Sequence, residues 1–255
     1  MNGQIYVLGD IHGQLPKVAR LLQGAGLIDK QGHWSGGTAQ LWFTGDFFDR
    51  GPYGLDAVTF VIGLQREAGD AGGQVDAVLG NHDLLVLGAS RFGGGFLKNH
   101  QRNGGRKEDL AGLTDVQRAW LVKRPAMVSE GQLLIVHSDT EKYLKYGRTV
   151  SQVNRRIEQI LEAADAATWD DLLHDLSERH AFDATTDRGA SRLTTFLATY
   201  GARRLIHGHT PIPYVGDVPP EDVTEPFRYA DGRAVNVDAG LYLGSPGFVY
   251  SAGTI

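Results

Sequence analysis

The stretch Gly45-Asp46-Phe47-Phe48-Asp49-Arg50-Gly51 decides how the rest of the chain is read. It follows Leu41-Trp42-Phe43, an apolar run with the length of a buried strand. It precedes Pro52, which suits the first turn of a helix carrying Leu55, Val58, Ile62 and Gln65. Two carboxylates and an arginine thus stand in a tight strand-to-helix turn. A carboxylate there can hold a cation, and an arginine can fork two donors onto a phosphate. Alone the segment carries little weight, because Asp-rich turns at such a junction commonly only cap the helix. Its weight comes from four further turns that repeat the logic.

Working outward, Ile5-Tyr6-Val7-Leu8 runs into Gly9-Asp10-Ile11-His12-Gly13, and Val75-Asp76-Ala77-Val78-Leu79 into Gly80-Asn81-His82-Asp83. Further on, Leu133-Leu134-Ile135-Val136 delivers His137-Ser138-Asp139, and Arg204-Leu205-Ile206 ends in His207-Gly208-His209. Each reads as a short strand closing on Asp, Asn or His, and in an open α/β sheet such ends lie side by side where ligands bind. The collected set is Asp10, His12, Asp46, Asn81, His137 and His209. Three imidazoles, two carboxylates and an amide suit borderline divalent cations such as manganese, iron or zinc. Six protein ligands exceed what one open catalytic site takes, whereas a shared carboxylate lets two ions sit about 3.5–4 Å apart. Asp46 is read as the shared ligand. Singly, Asp10 could be a helix cap and His12 a surface histidine; five such coincidences together weigh less than one metal site.

The 255 residues, with 42% hydrophobic and 22% charged content, can bury one substantial core, and no linker or repeat divides them, so a single domain over 1–255 is expected. A net charge of −5 argues against a nucleic-acid partner. The sequence has no cysteine, which excludes a cysteine nucleophile, a thiolate metal site and a disulfide frame. No basic leader or long apolar run opens it, so a cytoplasmic protein without a membrane partner is the expectation, and a monomer. Between the strand ends, helices are expected over Leu15–Leu22, Leu84–Ala89, 150–164 and 192–200, and a capping box at Thr114-Asp115-Val116-Gln117 opens another. Thr168-Trp169-Asp170-Asp171 reads as the cap of a helix bearing Leu172, Leu173 and Leu176. Gly93–Gly105, flanked by Lys98, Arg102, Arg106 and Lys107, reads as a glycine-rich loop that could line a substrate cleft, and 185–189 as a turn.

Taken in order, the first, second and third of these turns resemble the three signature motifs of the phosphoprotein phosphatase family, among the calcineurin-like metallophosphoesterases. His137 and Gly208-His209 are similar to the family's two later metal histidines, and Asp187-Arg188-Gly189 with Ser191 to the segment carrying its second phosphate-binding arginine. The resemblance spans 9 to 209 and implies an α/β fold with central mixed sheets, a β-sandwich, flanked by helices. Carried over, it implies that Asp10, His12 and Asp46 hold one metal and Asp46, Asn81, His137 and His209 a second, with manganese first among the candidates. It implies that a metal-bridged hydroxide attacks phosphorus, that Arg50, Arg188 and Asn81 bind the phosphate, and that His82, oriented by Asp49, is the general acid. Tyr242 would approach the phosphate as a tyrosine does in some relatives.

Two departures stand out. Asp83 replaces a glutamate, and Ser138-Asp139 replaces small residues, bringing an extra carboxylate toward the site. The compact chain looks like bacterial and phage-type members. The expected substrate is a phosphoprotein, on serine, threonine or tyrosine; the alternatives are a dinucleoside tetraphosphate such as diadenosine tetraphosphate, or a small phosphoester. Pro211, where nucleases and cyclic phosphodiesterases of this kind place a histidine, disfavours those classes. A catalytically silent binding module is disfavoured because every ligand and His82 are present.

Overall fold

A computed structural model describes residues 3–183 and 185–254. The strands in chain order are β1 (Gln4–Leu8), β2 (Gln40–Phe43), β3 (Gln74–Ala77), β4 (Met127–Glu130), β5 (Leu133–Val136), β6 (Arg204–His207), β7 (Phe227–Tyr229), β8 (Ala234–Asn236) and β9 (Tyr250–Thr254). They form two mixed sheets, ordered β3-β2-β1-β9 and β4-β5-β6-β8-β7. Within the first, β1, β2 and β3 are parallel; within the second, β5, β6 and β8 are parallel. The expected α/β fold with two mixed sheets is therefore present.

The period-two alternation of strand side chains explains the layering. Ile5, Val7, Trp42, Ile135, Ile206 and Val235 point one way and pack together across the two sheets. Their neighbours Leu8, Leu41, Phe43, Leu134, Val136 and Leu205 point the other way and pack beneath helices. Strands buried on both faces must be apolar throughout, which is why these runs lack a polar stripe.

The helices are α1 (Leu15–Gly24), α2 (Gly54–Asp70), α3 (Asn81–Phe92), α4 (Gly94–Arg102), α5 (Lys107–Gly112), α6 (Asp115–Val122), α7 (Val150–Ala163), α8 (Ala166–Leu176) and α9 (Asp187–Thr199). Thr114 and Gln117 form the expected capping box on α6. Three expectations are corrected. The glycine-rich segment contains α4, because Phe96 inserts its buried ring against Phe92 and Trp169. The cap of α8 is Asp165, whose carboxylate accepts the Thr168 N–H at 2.9 Å, so Trp169 lies inside the helix. The turn at 185–189 is the start of α9, capped by Thr186. Among the described residues no helix is long and apolar enough to cross a membrane.

Candidate active site

Parallel strands bring the six turns after β1, β2, β3, β5, β6 and β8 to one end of the sandwich. The register sets Leu8 beside Phe43 and Phe43 beside Ala77, so the turns that follow start level. Here the backbone leaves its ordinary range: His12, Asp46, Asp49, Arg50 and His209 have φ of 43°, 53°, 69°, 69° and 70°. Side chains with a Cβ seldom adopt this left-handed conformation, and such strain concentrates at functional sites. Close approach is needed too. A Cβ on Gly80 would lie 2.2 Å from Asp46 Oδ1, and one on Gly208 2.1 Å from Asp10 Oδ1.

Each site imidazole donates one ring N–H to a backbone carbonyl and keeps the other nitrogen for the site. His12 Nδ1 bonds Phe48 O and His137 Nδ1 bonds Thr44 O, each at 2.8 Å, while His209 Nε2 bonds Ser177 O at 3.1 Å. That arrangement fixes the tautomers and orients the rings as metal-ligating histidines require. The remaining nitrogens meet other acceptors. His137 Nε2 lies 2.7 Å from Asn81 Oδ1, 3.1 Å from His209 Nδ1 and 3.5 Å from Asp46 Oδ2. Asp46 Oδ2 is buried without a hydrogen-bond partner among the described residues, and it lies 3.7 Å from His12 Nε2. Four lone-pair atoms converge with no donor between them, which a cation satisfies and a hydrogen-bond network does not.

A second group, His12, Asp46 and His82, adjoins the first through Asp46, so that both share one carboxylate. Asp10 stands just outside these groups. Its Oδ1 accepts from Thr44 Oγ1 at 2.8 Å and its Oδ2 from the His209 N–H at 3.0 Å. Each oxygen retains a lone pair, so a role as ligand stays open to it chemically. The donor set of imidazoles, carboxylate and amide fits manganese, iron or zinc.

Electrostatics point the same way. Burial, then the neighbouring His137, depresses the His209 pKa well below the usual range; burial depresses that of His137 to about 3, and burial and His82 depress that of His12. All three rings are neutral, as ligands must be. Burial raises both carboxyls, Asp10 and Asp46, helped by repulsion from Asp238 at Asp10 and from Asp10 at Asp46. A cation here would favour the ionised carboxylates that burial disfavours.

Beside this centre, His82 Nδ1 contacts Asp49 Oδ2 at 2.5 Å. Burial opposes the Asp49 charge, yet contacts with His100 and His82 outweigh it and hold the carboxyl below its ordinary range. His100, buried on α4, places Nδ1 2.9 Å from Asp49 Oδ1, off the line of a well-formed hydrogen bond. Its Nε2 reaches Arg106 O at 3.2 Å. The glycine-rich segment therefore backs the site instead of lining it, and Gly104 O also accepts the Arg50 N–H at 3.1 Å. Arg50 lies 4.6 Å from the centre of the Tyr242 ring, and both line a cleft of about 110 Å³ with His12, Asp46, His82 and His209.

The second arginine of that cleft is Arg179, not Arg188. Thr186 caps α9 and so places Arg188 in the first helical turn, where it is exposed and lines neither the cleft nor the neighbouring cavity. Arg179 follows α8, two residues after Ser177, whose carbonyl holds the His209 ring. Sequence reading missed Arg179 because no local motif marks it. It also missed Asp238, a sixth acid at a strand end, which follows the same pattern after β8 and repels Asp10. Asp83 does not orient His82: its carboxylate accepts the N–H groups of Asp46, Phe47 and Gly80 at 2.9, 2.8 and 3.0 Å, and so fixes the Asp46 turn. Asp139 faces away from the cleft and into the neighbouring cavity.

Metal removal is expected to leave a pH signature. Burial raises the pKa of both Asp83 and Asp238 to about 7, far above that of an unfolded carboxyl. The stability these groups contribute is present at low pH and is lost as pH rises through about 7. The depressed histidines act in the opposite sense only below about 6.5, where the unfolded chain binds their protons. Between pH 6.5 and 8 the acids act in this one sense, joined by His100, where burial lowers the pKa but contact with Asp49 outweighs it. Chelator-treated protein should therefore lose on the order of 5 °C in melting temperature, while manganese-loaded protein stays nearly flat. Thermal melts with and without chelator check this; a rising melting temperature in the stripped protein over that range would refute it.

Comparison with known proteins bears on the same geometry. A family model described as calcineurin-like phosphoesterase matches residues 3–213. The chain is 38% identical over 86 residues to Shewanella-like protein phosphatase 1 of Plasmodium berghei, a match covering 34% of this chain and 24% of that protein. It is 25% identical over 226 residues to the symmetrical bis(5'-nucleosyl)-tetraphosphatase of Vibrio cholerae, covering 86% of this chain and 74% of that protein. Among solved structures, the cold-active protein-tyrosine phosphatase of a psychrophilic Shewanella superposes with a TM-score of 0.75 at 23% identity, covering 98% of this chain and 75% of that one. At that identity the likeness speaks to fold alone.

Proposed function

This chain belongs to the calcineurin-like phosphoesterase family, and from that premise we propose that it is a dinuclear-metal phosphomonoester hydrolase acting on phosphoserine, phosphothreonine or phosphotyrosine in proteins. The observation that carries the reading is the convergence of His137 Nε2, His209 Nδ1, Asn81 Oδ1 and Asp46 Oδ2 beside a cleft holding Arg50, Arg179 and His82. Asp46, Asn81, His137 and His209 would hold one cation, and Asp46, His12 and Asp10 the other. Bound there, two divalent cations supply Lewis acidity and lower the pKa of water enough to make a nucleophile near neutral pH.

The chain's own residues do the rest. Arg50 and Arg179 direct N–H donors at the phosphoryl oxygens and neutralise charge that grows toward the transition state. Arg50 is held for this by the Gly104 carbonyl behind its backbone and the Tyr242 ring beside its guanidinium. His82 keeps Nδ1 on Asp49, so Nε2 is the nitrogen that gives a proton to the departing alkoxide. Asp49 stabilises the imidazolium that this duty demands. His100, on the far side of Asp49, keeps that carboxylate from turning away.

The Vibrio relative, which aligns across most of the chain, favours a second reading, hydrolysis of dinucleoside tetraphosphates. Phosphate release by manganese-loaded protein from a phosphothreonine peptide and from diadenosine tetraphosphate, measured side by side, separates the two. The expected result is a kcat/KM at least tenfold higher for the peptide. A reversed preference would replace the first reading with the second.

A further inference from the structure

A cavity of about 330 Å³ adjoins the cleft and shares Tyr214 with it. Tyr214 is 63% exposed, an unusual state for so large a ring, and stands where a substrate would pass from one space to the other. The wall is aromatic: Phe227 and Tyr229 stack with ring centres 5.9 Å apart. His207 closes the inner end as a neutral ring, since its Nδ1–H donates to Gly208 O at 2.9 Å and its Nε2 accepts from the Tyr229 hydroxyl at 2.8 Å. Deepest of the charged groups is Asp139, 5% exposed, whose Oδ2 accepts the His180 N–H at 2.9 Å. Its Oδ1, and Thr210 Oγ1 of the same lining, have no hydrogen-bond partner among the described residues. A second carboxylate, Asp183, stands at the cavity wall, and among the described residues no lysine or arginine lines the space.

A buried carboxylate oxygen without a donor is costly and calls for a partner. The partner must bring N–H groups and, against two carboxylates faced only by the imidazoles of His180 and His207, positive charge. Aromatic faces favour the same ligand, because they attract cations and stack on guanidinium planes. A polyphosphate chain suits such a space poorly. We propose that this cavity seats an arginine or lysine side chain of the substrate, near in sequence to the phosphorylated residue whose phosphate occupies the cleft. The assignment rests on the protein phosphatase reading and narrows it to phosphoproteins with a basic residue close to the phosphosite. It also gives the Ser138-Asp139 departure a purpose: the acid serves recognition, not metal binding.

The test is a set of phosphothreonine peptides with a single arginine moved through the three positions on either side of the phosphoresidue, each matched by an alanine and a glutamate version. With manganese-loaded protein, one position should give arginine a kcat/KM at least tenfold above alanine, with glutamate below both. The gain should lie mainly in KM, and in Asp139→Asn the arginine-to-alanine ratio should fall to within about twofold of unity. The wild-type order alone decides the matter should that variant fold poorly. Equal turnover of all peptides, or an arginine preference that survives Asp139→Asn, would overturn the proposal while leaving the phosphatase reading intact. Failure to cleave any peptide while p-nitrophenyl phosphate is hydrolysed would sink both. Adenosine that competes with peptide in the wild type but not in Asp139→Asn would instead assign the cavity to a nucleobase.

Discussion

Replacing His82 with alanine is expected to slow dephosphorylation of a phosphothreonine peptide by roughly 10²–10⁴ and to slow that of p-nitrophenyl phosphate far less. The asymmetry follows from the leaving group. An alkoxide is a poor leaving group until it is protonated, whereas p-nitrophenolate departs as the anion. His82 is placed for proton delivery because its Nδ1 is tied to Asp49 at 2.5 Å while the ring still lines the cleft. The proposed cation-holding set Asp46, Asn81, His137 and His209 is untouched by the change, so metal content measured by elemental analysis should stay the same. Equal losses on both substrates, with metal retained, would mean that His82 binds phosphate and does not donate the proton.

Arg179→Ala is expected to cost roughly 10²–10³ in kcat, the usual worth of one charged donor directed at a transition-state oxyanion. Arg188→Ala should stay within about threefold of the wild type. The contrast follows from placement: Arg179 shares the cleft with Arg50, and Arg188 lies exposed on α9. Vanadate and phosphate, as inhibitors, should lose affinity in the first variant only. A severe loss in Arg188→Ala with an active Arg179→Ala would restore the assignment that the sequence suggested.

Those two arginines mark where sequence reading succeeds and where it stops. The turns after β1, β2, β3, β5 and β6 were legible because strand and site residue are adjacent in the chain, so an apolar run and its closing Asp or His report on each other. Arg179 lines the cleft from just beyond the end of α8, a segment that the hydrogen bond from His209 to the Ser177 carbonyl ties to the site. His100 was hidden for a related reason. Glycines at 93–95 and 104–105 read as loop, and they conceal the nine-residue helix that the burial of Phe96 makes worthwhile. Asp187-Arg188-Gly189 misled in the other direction: a familiar tripeptide was present, but Thr186 turned it into a helix start.

The seam of the sandwich passes through the metal site. Asp10, His12, Asp46 and Asn81 follow strands of one sheet, while His137 and His209 follow strands of the other. The four converging lone pairs of Asp46, Asn81, His137 and His209 come from both halves, so a cation held by them would need both sheets formed and met, whereas one held by Asp10, His12 and Asp46 would rest on a single sheet. On the proposed assignment, apolar closure of the sheets would precede capture of that shared-sheet cation, whose binding would then draw the equilibrium toward the completed form. A chain starved of metal would be expected to breathe along this seam, with its two sheets exchanging amide protons as separate units, and to become a single cooperative body when manganese is restored.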